Sequence, residues 1–175
     1  MATDLSPRAL LVARRRAELA GTPLHLVCAD AERLPFRDGS ADLVTAAGAL
    51  YCMSLEVLSR EVRRILRPNG AWVIVDSLNE SPFYRFNRWV GFLRKRRTAL
   101  AVHNVPNVAS LQELRREFER VEISYHGVLT FLIPVLRPLF GPTRAGQIVS
   151  GADRWLGWLQ QWAFKVVVVA QGAPR

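Results

Sequence analysis

An α/β fold with a largely parallel sheet is what this 175-residue sequence predicts, and three observations predict it. Short apolar runs of strand character alternate with amphipathic helical stretches, the pattern of strands joined by crossover helices. The composition, 50% hydrophobic and 22% charged, is that of a globular chain long enough to bury a core. No repeat or low-complexity linker interrupts it, so residues 1–175 read as a single domain.

The elements follow in order. Ser6-Pro7 opens a helix from Arg8 to about Leu19, because a serine hydroxyl accepts an orphan backbone N–H and proline suits the first turn; Gly21 closes it. Leu24 to Ala29 is a short strand-like run ending in Asp30. A loop with Pro35, Asp38 and Gly39 then leads to a second buried strand, Ala41 to Ala47. From about Leu55 to Leu66, Leu58, Val62 and Ile65 share one helical face while Arg60, Arg63 and Arg64 share the other. Pro68-Asn69-Gly70 ends that helix, with Asn69 expected in a positive-φ turn, and Ala71 to Val75 is a third strand. Ser110 is expected to cap a short helix from Leu111 to about Phe118, and Val121 to Tyr125 is a strand. An apolar, helical insert spans Gly127 to Gln161 before a last strand, Phe164 to Gln171. Trp155, Trp158 and Trp162 recur at helical spacing there and are expected to pack on the sheet, in preference to forming an aromatic substrate lid.

Composition narrows the function classes. Cys28 and Cys52 have neither paired spacing nor a histidine cluster beside them, so neither a disulfide framework nor a metal site is implied and a reducing cytoplasm is expected. Ala2 to Ala20 has no apolar core of a signal peptide, and Val128 to Phe140 is too short and too interrupted to span a bilayer. The net charge of +9 admits attraction to nucleic acid or anionic lipid. The basic residues, however, spread along the chain and all but Lys95 and Lys165 are arginine. That distribution favours solvated helix faces, and a nucleic-acid partner is disfavoured.

Three segments carry a resemblance. Asp4-Leu5-Ser6-Pro7 places an acid at a strand end before a helix. Cys28-Ala29-Asp30-Ala31-Glu32-Arg33-Leu34-Pro35-Phe36 is followed by Ser40-Ala41-Asp42-Leu43-Val44. Glu61-Val62-Arg63-Arg64-Ile65-Leu66-Arg67-Pro68-Asn69-Gly70 runs into Ala71 to Asp76. In this order they resemble class I S-adenosylmethionine-dependent methyltransferases of the type 11 kind. The resemblance implies a Rossmann-like sheet, S-adenosyl-L-methionine as cofactor, and methyl transfer to a small acceptor; the tryptophans and the apolar run Val128 to Phe140 suggest a lipophilic or polyketide-like one. Asp4 with Leu5 would meet the ribose, Asp30 and Ala31 the adenine, and Ala46 and Tyr51 the methionine end, with Tyr51 equally readable as a plain core aromatic. A carboxylate suits a ribose because it can accept from both hydroxyls. Asp42 reads as a strand-start acid tied to backbone, and the third segment as fold-building.

The same resemblance implies a partial domain. Residues 1–76 hold the cofactor-side motifs, 82–108 the variable segment, and 110–175 the last helix, strands and insert. Relatives open with a strand and a Gly-x-Gly loop that holds the methionine carboxylate; Gly48, Gly70 and Gly127 are isolated and cannot replace it. The chain therefore reads as N-terminally truncated. In the family order 3-2-1-4-5-7-6, loss of the first strand leaves three outcomes: strand two closes on strand four, another chain or copy covers the exposed sheet edge, or stability suffers. A degenerate, non-catalytic binding or assembly module is the alternative function, with a basic nucleic-acid-binding protein behind it. No catalytic residue is assigned, and no metal. On the acceptor side the candidates are His103, His126 and Trp89, with Tyr84 beside them.

Overall fold

The computed structural model of the chain describes residues 1–95, 105–153 and 155–172. The strands are β1 (Ala2–Asp4), β2 (Leu26–Cys28), β3 (Ala41–Ala47), β4 (Leu66–Ser77), β5 (Arg120–His126) and β6 (Lys165–Gln171). The helices are α1 (Pro7–Leu19), α2 (Leu55–Ile65), α3 (Pro82–Leu93), α4 (Val108–Gln112) and α5 (Ile133–Asp153). Two of them begin at a serine cap. Ser6 Oγ accepts from Ala9 N to cap α1, and Ser54 Oγ accepts from Val57 N to cap α2. Along α2 the spacing of Leu58, Val62 and Ile65 buries one face, as the periodicity predicted.

The strands form two sheets. One pairs β1 with β2 in parallel; the other has the order β3-β4-β6-β5, with β3 and β4 parallel and β6 antiparallel to both its neighbours. In β4 and β6, Trp72 lies opposite Ala170, Ile74 opposite Val168 and Asp76 opposite Val166, and all six are buried. Leu58, Val62, Leu111, Leu114 and Phe118 close over that face, the Phe118 ring 5.9 Å from that of Trp72. This is the core.

Together the sheets give the order β2-β1, gap, β3-β4-β6-β5, which is the order the resemblance implies with its first strand left out. Strand two does not close on strand four. Among the described residues β1 has only β2 as a partner and β3 only β4. The space between them is a cavity of ≈ 810 Å³ lined by Met1 to Thr3 on one side and Ala41 to Thr45 on the other.

Four expectations need correction. Asn69 is not in a positive-φ turn; among the described non-glycine residues only Lys95 has positive φ. The chain leaves α2 directly as strand because Leu66 is buried and pairs with Ala41. Asn107, not Ser110, caps α4: Asn107 Oδ1 accepts from Ser110 N at 2.7 Å, and Ser110 Oγ accepts from Asn107 N at 3.1 Å. Asp42 is tied to a side chain, Arg67, at 2.5 Å. The tryptophans do not pack on the sheet. Trp155 is 87% and Trp158 76% exposed, because the chain there breaks into a turn and a 3-10 segment (Gly157–Trp162), so their 3.6-residue spacing has no continuous α-helix to act on.

Candidate functional site

In a parallel sheet, ligands bind beyond the carboxyl ends of the strands. Asp4 stands at the end of β1, exposed, with Oδ1 accepting from Ser6 N at 2.7 Å. Its other carboxylate oxygen has no hydrogen-bond partner among the described residues. The Asp4 carbonyl accepts from Ala29 N at 3.2 Å and the Leu5 carbonyl from Cys28 Sγ at 3.6 Å, so the ends of β1 and β2 are laced together. Asp30 follows β2 in a short turn: Oδ1 accepts from Glu32 N at 2.9 Å and its carbonyl from Arg33 N at 3.1 Å. The second oxygen of Asp30 and the N–H of Ala31 are left without partners among the described residues. The structure thus brings together two outward acids and one free donor.

The loop after β2 is held from α2. Glu61 Oε1 accepts from Leu34 N at 2.6 Å, while the Arg64 guanidinium donates to the Leu34 carbonyl (3.0 Å), the Phe36 carbonyl (2.7 Å) and Asp38 Oδ1 (2.6 Å). Arg64 also grips Glu61 at 2.7 Å, and this hydrogen bond holds the Glu61 carboxyl below its ordinary value, against a partial desolvation that raises it. Glu32 Oε1 accepts from Ser54 N at 2.5 Å, a second link from the loop to the start of α2.

At the ends of β3 and β4, Gly48 turns with φ 62° and its N–H donates to the Val75 carbonyl at 2.9 Å. Ala46, half-buried, pairs with Ile74. Buried Asp76 accepts from Leu50 N at 2.9 Å and from Ser77 N at 2.6 Å, which fixes the turn carrying Tyr51. Tyr51 is exposed rather than a core aromatic. Beside it, desolvation pushes the Cys52 thiol up. Asp76, Asp4 and Glu32 push the same way, against a lowering by a backbone hydrogen bond. The thiol stays protonated at neutral pH.

The acceptor-side candidates are scattered. His126 ends β5, exposed, in the row Ser77–Lys165–His126, two strand spacings or about 10 Å from Ser77. Trp89 faces outward on α3, its ring 5.9 Å from Phe86. Tyr84 is a packing residue, buried with its ring 4.5 Å from Phe164. His103 lies outside the described residues. Among the described residues no group of His, Cys, Asp and Glu could hold a metal ion. Sequence reasoning missed Asp76, Glu32 and the Glu61–Arg64 clamp; an acid closing an apolar strand, and an acid and a base three apart on a helix, were the available signals.

The sequence profile of a methyltransferase domain matches residues 1–74. The malonyl-[acyl-carrier protein] O-methyltransferase of Marinomonas sp. is 39% identical over 98 residues, which cover 54% of this chain and 35% of the relative. The demethylmenaquinone methyltransferase of Thermus thermophilus is 39% identical over 74 residues, 42% of this chain and 34% of the relative. The chain thus spans about a third of the length of these curated relatives. Among solved structures, a Haemonchus contortus phosphoethanolamine N-methyltransferase in complex with S-adenosyl-L-methionine superposes with a TM-score of 0.61 at 18% identity, covering 99% of this chain and 43% of that one.

Proposed function

We infer, from a chain whose residues 1–74 belong to the methyltransferase domain family and whose fold is that of class I S-adenosylmethionine-dependent methyltransferases, that it holds the adenosine half of S-adenosyl-L-methionine for methyl transfer to a small, lipophilic acceptor. One observation carries this reading. Two carboxylates with a free oxygen each, and the free Ala31 N–H, sit at the carboxyl ends of adjacent parallel strands.

The residues present fit the adenosine half. Asp4 can accept from ribose hydroxyls while Ser6 N holds it in place, with Leu5 beside it. Asp30 can accept from an exocyclic amine, and Ala31 N–H can donate to a ring nitrogen. Ala46 and Tyr51 would wall the methionine side. The cofactor, when bound, supplies a methyl group on a sulfonium. The work of the protein is to hold donor and acceptor in line, and Cys52, kept protonated, is no competing nucleophile. Lipophilic acceptors are favoured by the quinone named in one relative and by the exposed aromatic residues of α3. His126 and Trp89 remain the candidates on that side, and the cytoplasm the proposed compartment.

The slot between β1 and β3 favours a second reading, an assembly module whose sheet edges are covered by a partner or a second copy. Calorimetry with S-adenosylhomocysteine separates the two. Binding that falls at least roughly tenfold in both Asp4→Ala and Asp30→Ala supports the first. No binding by the unaltered chain, or binding indifferent to both substitutions, overturns the assignment of these residues.

A further inference from the structure

We propose that α3 is a membrane-docking surface that seats this protein on bilayers containing anionic phospholipid. The helix buries Arg88 and Tyr84 and turns its other rings outward. Arg88 is buried, donating to Asn79 Oδ1 and to the Leu78 carbonyl, both at 2.9 Å. Tyr84, one turn earlier, is buried with its hydroxyl donating to the Gly127 carbonyl at 3.4 Å. Two anchors four residues apart lie on one helical face and fix the rotation of α3. The opposite face then presents Phe83, Phe86, Trp89, Phe92 and Leu93 to solvent, with Phe86 64% and Trp89 52% exposed. Phe83 stacks on Phe131 at 4.5 Å, joining this stripe to the insert, where Leu139 and Phe140 are exposed as well. Soluble surfaces rarely carry an apolar patch of this kind without a partner.

Charge selects the occupant. From Pro82 to Lys95 there is no acidic residue, while Arg85, Arg94 and Lys95 flank the stripe, and Arg137 and Arg144 are exposed on α5. Aromatic rings set among Arg and Lys are the pattern of a helix lying in the headgroup layer, rings among the upper acyl chains and cations on the phosphates. A second copy would set two positive faces against each other. A nucleic acid would stack on the rings and leave Leu93 and Leu139 in water. Among the described residues no helix is long and apolar enough to cross a membrane, so the mode is surface seating.

The test is sedimentation of the full chain with sucrose-loaded vesicles, either phosphatidylcholine and phosphatidylglycerol in equal parts or phosphatidylcholine alone. Expected are binding to the mixed vesicles that salt weakens, and a loss of roughly tenfold or more in Phe86→Ser/Trp89→Ser and in Arg94→Glu/Lys95→Glu. Quenching by brominated lipid should be reduced in Trp89→Phe. The Arg94→Glu/Lys95→Glu variant removes no buried contact, so it decides the matter if the ring variant fails to fold. Equal binding by all variants, oligonucleotide binding without vesicle binding, or a dimer that shields Trp89 would each overturn the proposal. The readout is lipid, so failure here leaves the cofactor reading standing.

Discussion

Asp4 and Asp30 hang on two strands of three residues each, whereas the four-stranded sheet is built on strands of seven to twelve. In the β1–α1–β2 unit only Leu10 is buried; in the sheet, whole rows of β4 and β6 are. The residues proposed to meet the cofactor therefore sit on the part least able to hold itself, and stability resides in the part that carries none of them except at its edge. What joins the two is mostly polar: Glu61, Arg64 and the Glu32–Ser54 link, all centred on α2. Thus α2 acts twice, as a wall of the core through Leu58 and Val62 and as a bracket for the loop after β2 through Glu61 and Arg64.

The largest expected effect breaks the sheet. Ile74→Ala should cost about 2–5 kcal/mol in urea unfolding, a large share of a domain's stability, because the site has rigid neighbours on every side. Leu10→Ala makes the same kind of cut in α1 and should move the main transition far less. Equal shifts would mean that the two regions unfold as one. Next, Arg64→Ala should leave the main transition nearly in place while amides of residues 31–38 exchange roughly tenfold faster, read by hydrogen exchange mass spectrometry. Acid should do the same reversibly. With its carboxyl held low, Glu61 binds fewer protons folded than unfolded, so its stabilisation is full above the ordinary value of 4.5 and fades as the pH falls below it. Loop exchange in the wild type should accelerate below that pH, and in Glu61→Gln this pH dependence should be much reduced. The smallest effect compares two caps. Ser54→Ala should lower global stability by about 1 kcal/mol through α2, while Ser6→Ala should loosen α1 with little global change.

Much of the fold was legible because its signals are local. Ala41–Ala47 became β3 with the same limits, although none of its residues is buried as expected, because among the described residues only β4 lies beside it; the apolar spacing in α2 survives because one face is covered. Asn69 was misread for the opposite reason: whether a Pro-Asn-Gly stretch turns or runs straight depends on Leu66 finding Ala41, 25 residues earlier in the chain. The Arg64 contacts, 26 to 30 residues distant, were invisible for the same cause. Of the site, the acids could be named from their motifs, but the free oxygens of Asp4 and Asp30 and the three charges around Cys52 exist only once the strand ends are assembled.

The insert begins and ends at one point. Phe164 N donates to the Gly127 carbonyl at 3.3 Å, and Gly127, at φ 77°, takes a conformation in which a Cβ would collide with Thr130. The insert therefore leaves the sheet after Gly127 and rejoins it at Phe164, with this hydrogen bond at its neck, like a bag closed by a drawstring. Closure entropy grows only slowly with loop length, so such a segment can lengthen, shrink or be exchanged across evolution while β5 and β6 keep their register. Surface chemistry and sheet are thereby free to diverge at different rates, with Gly127 and Phe164 as the fixed stitch between them.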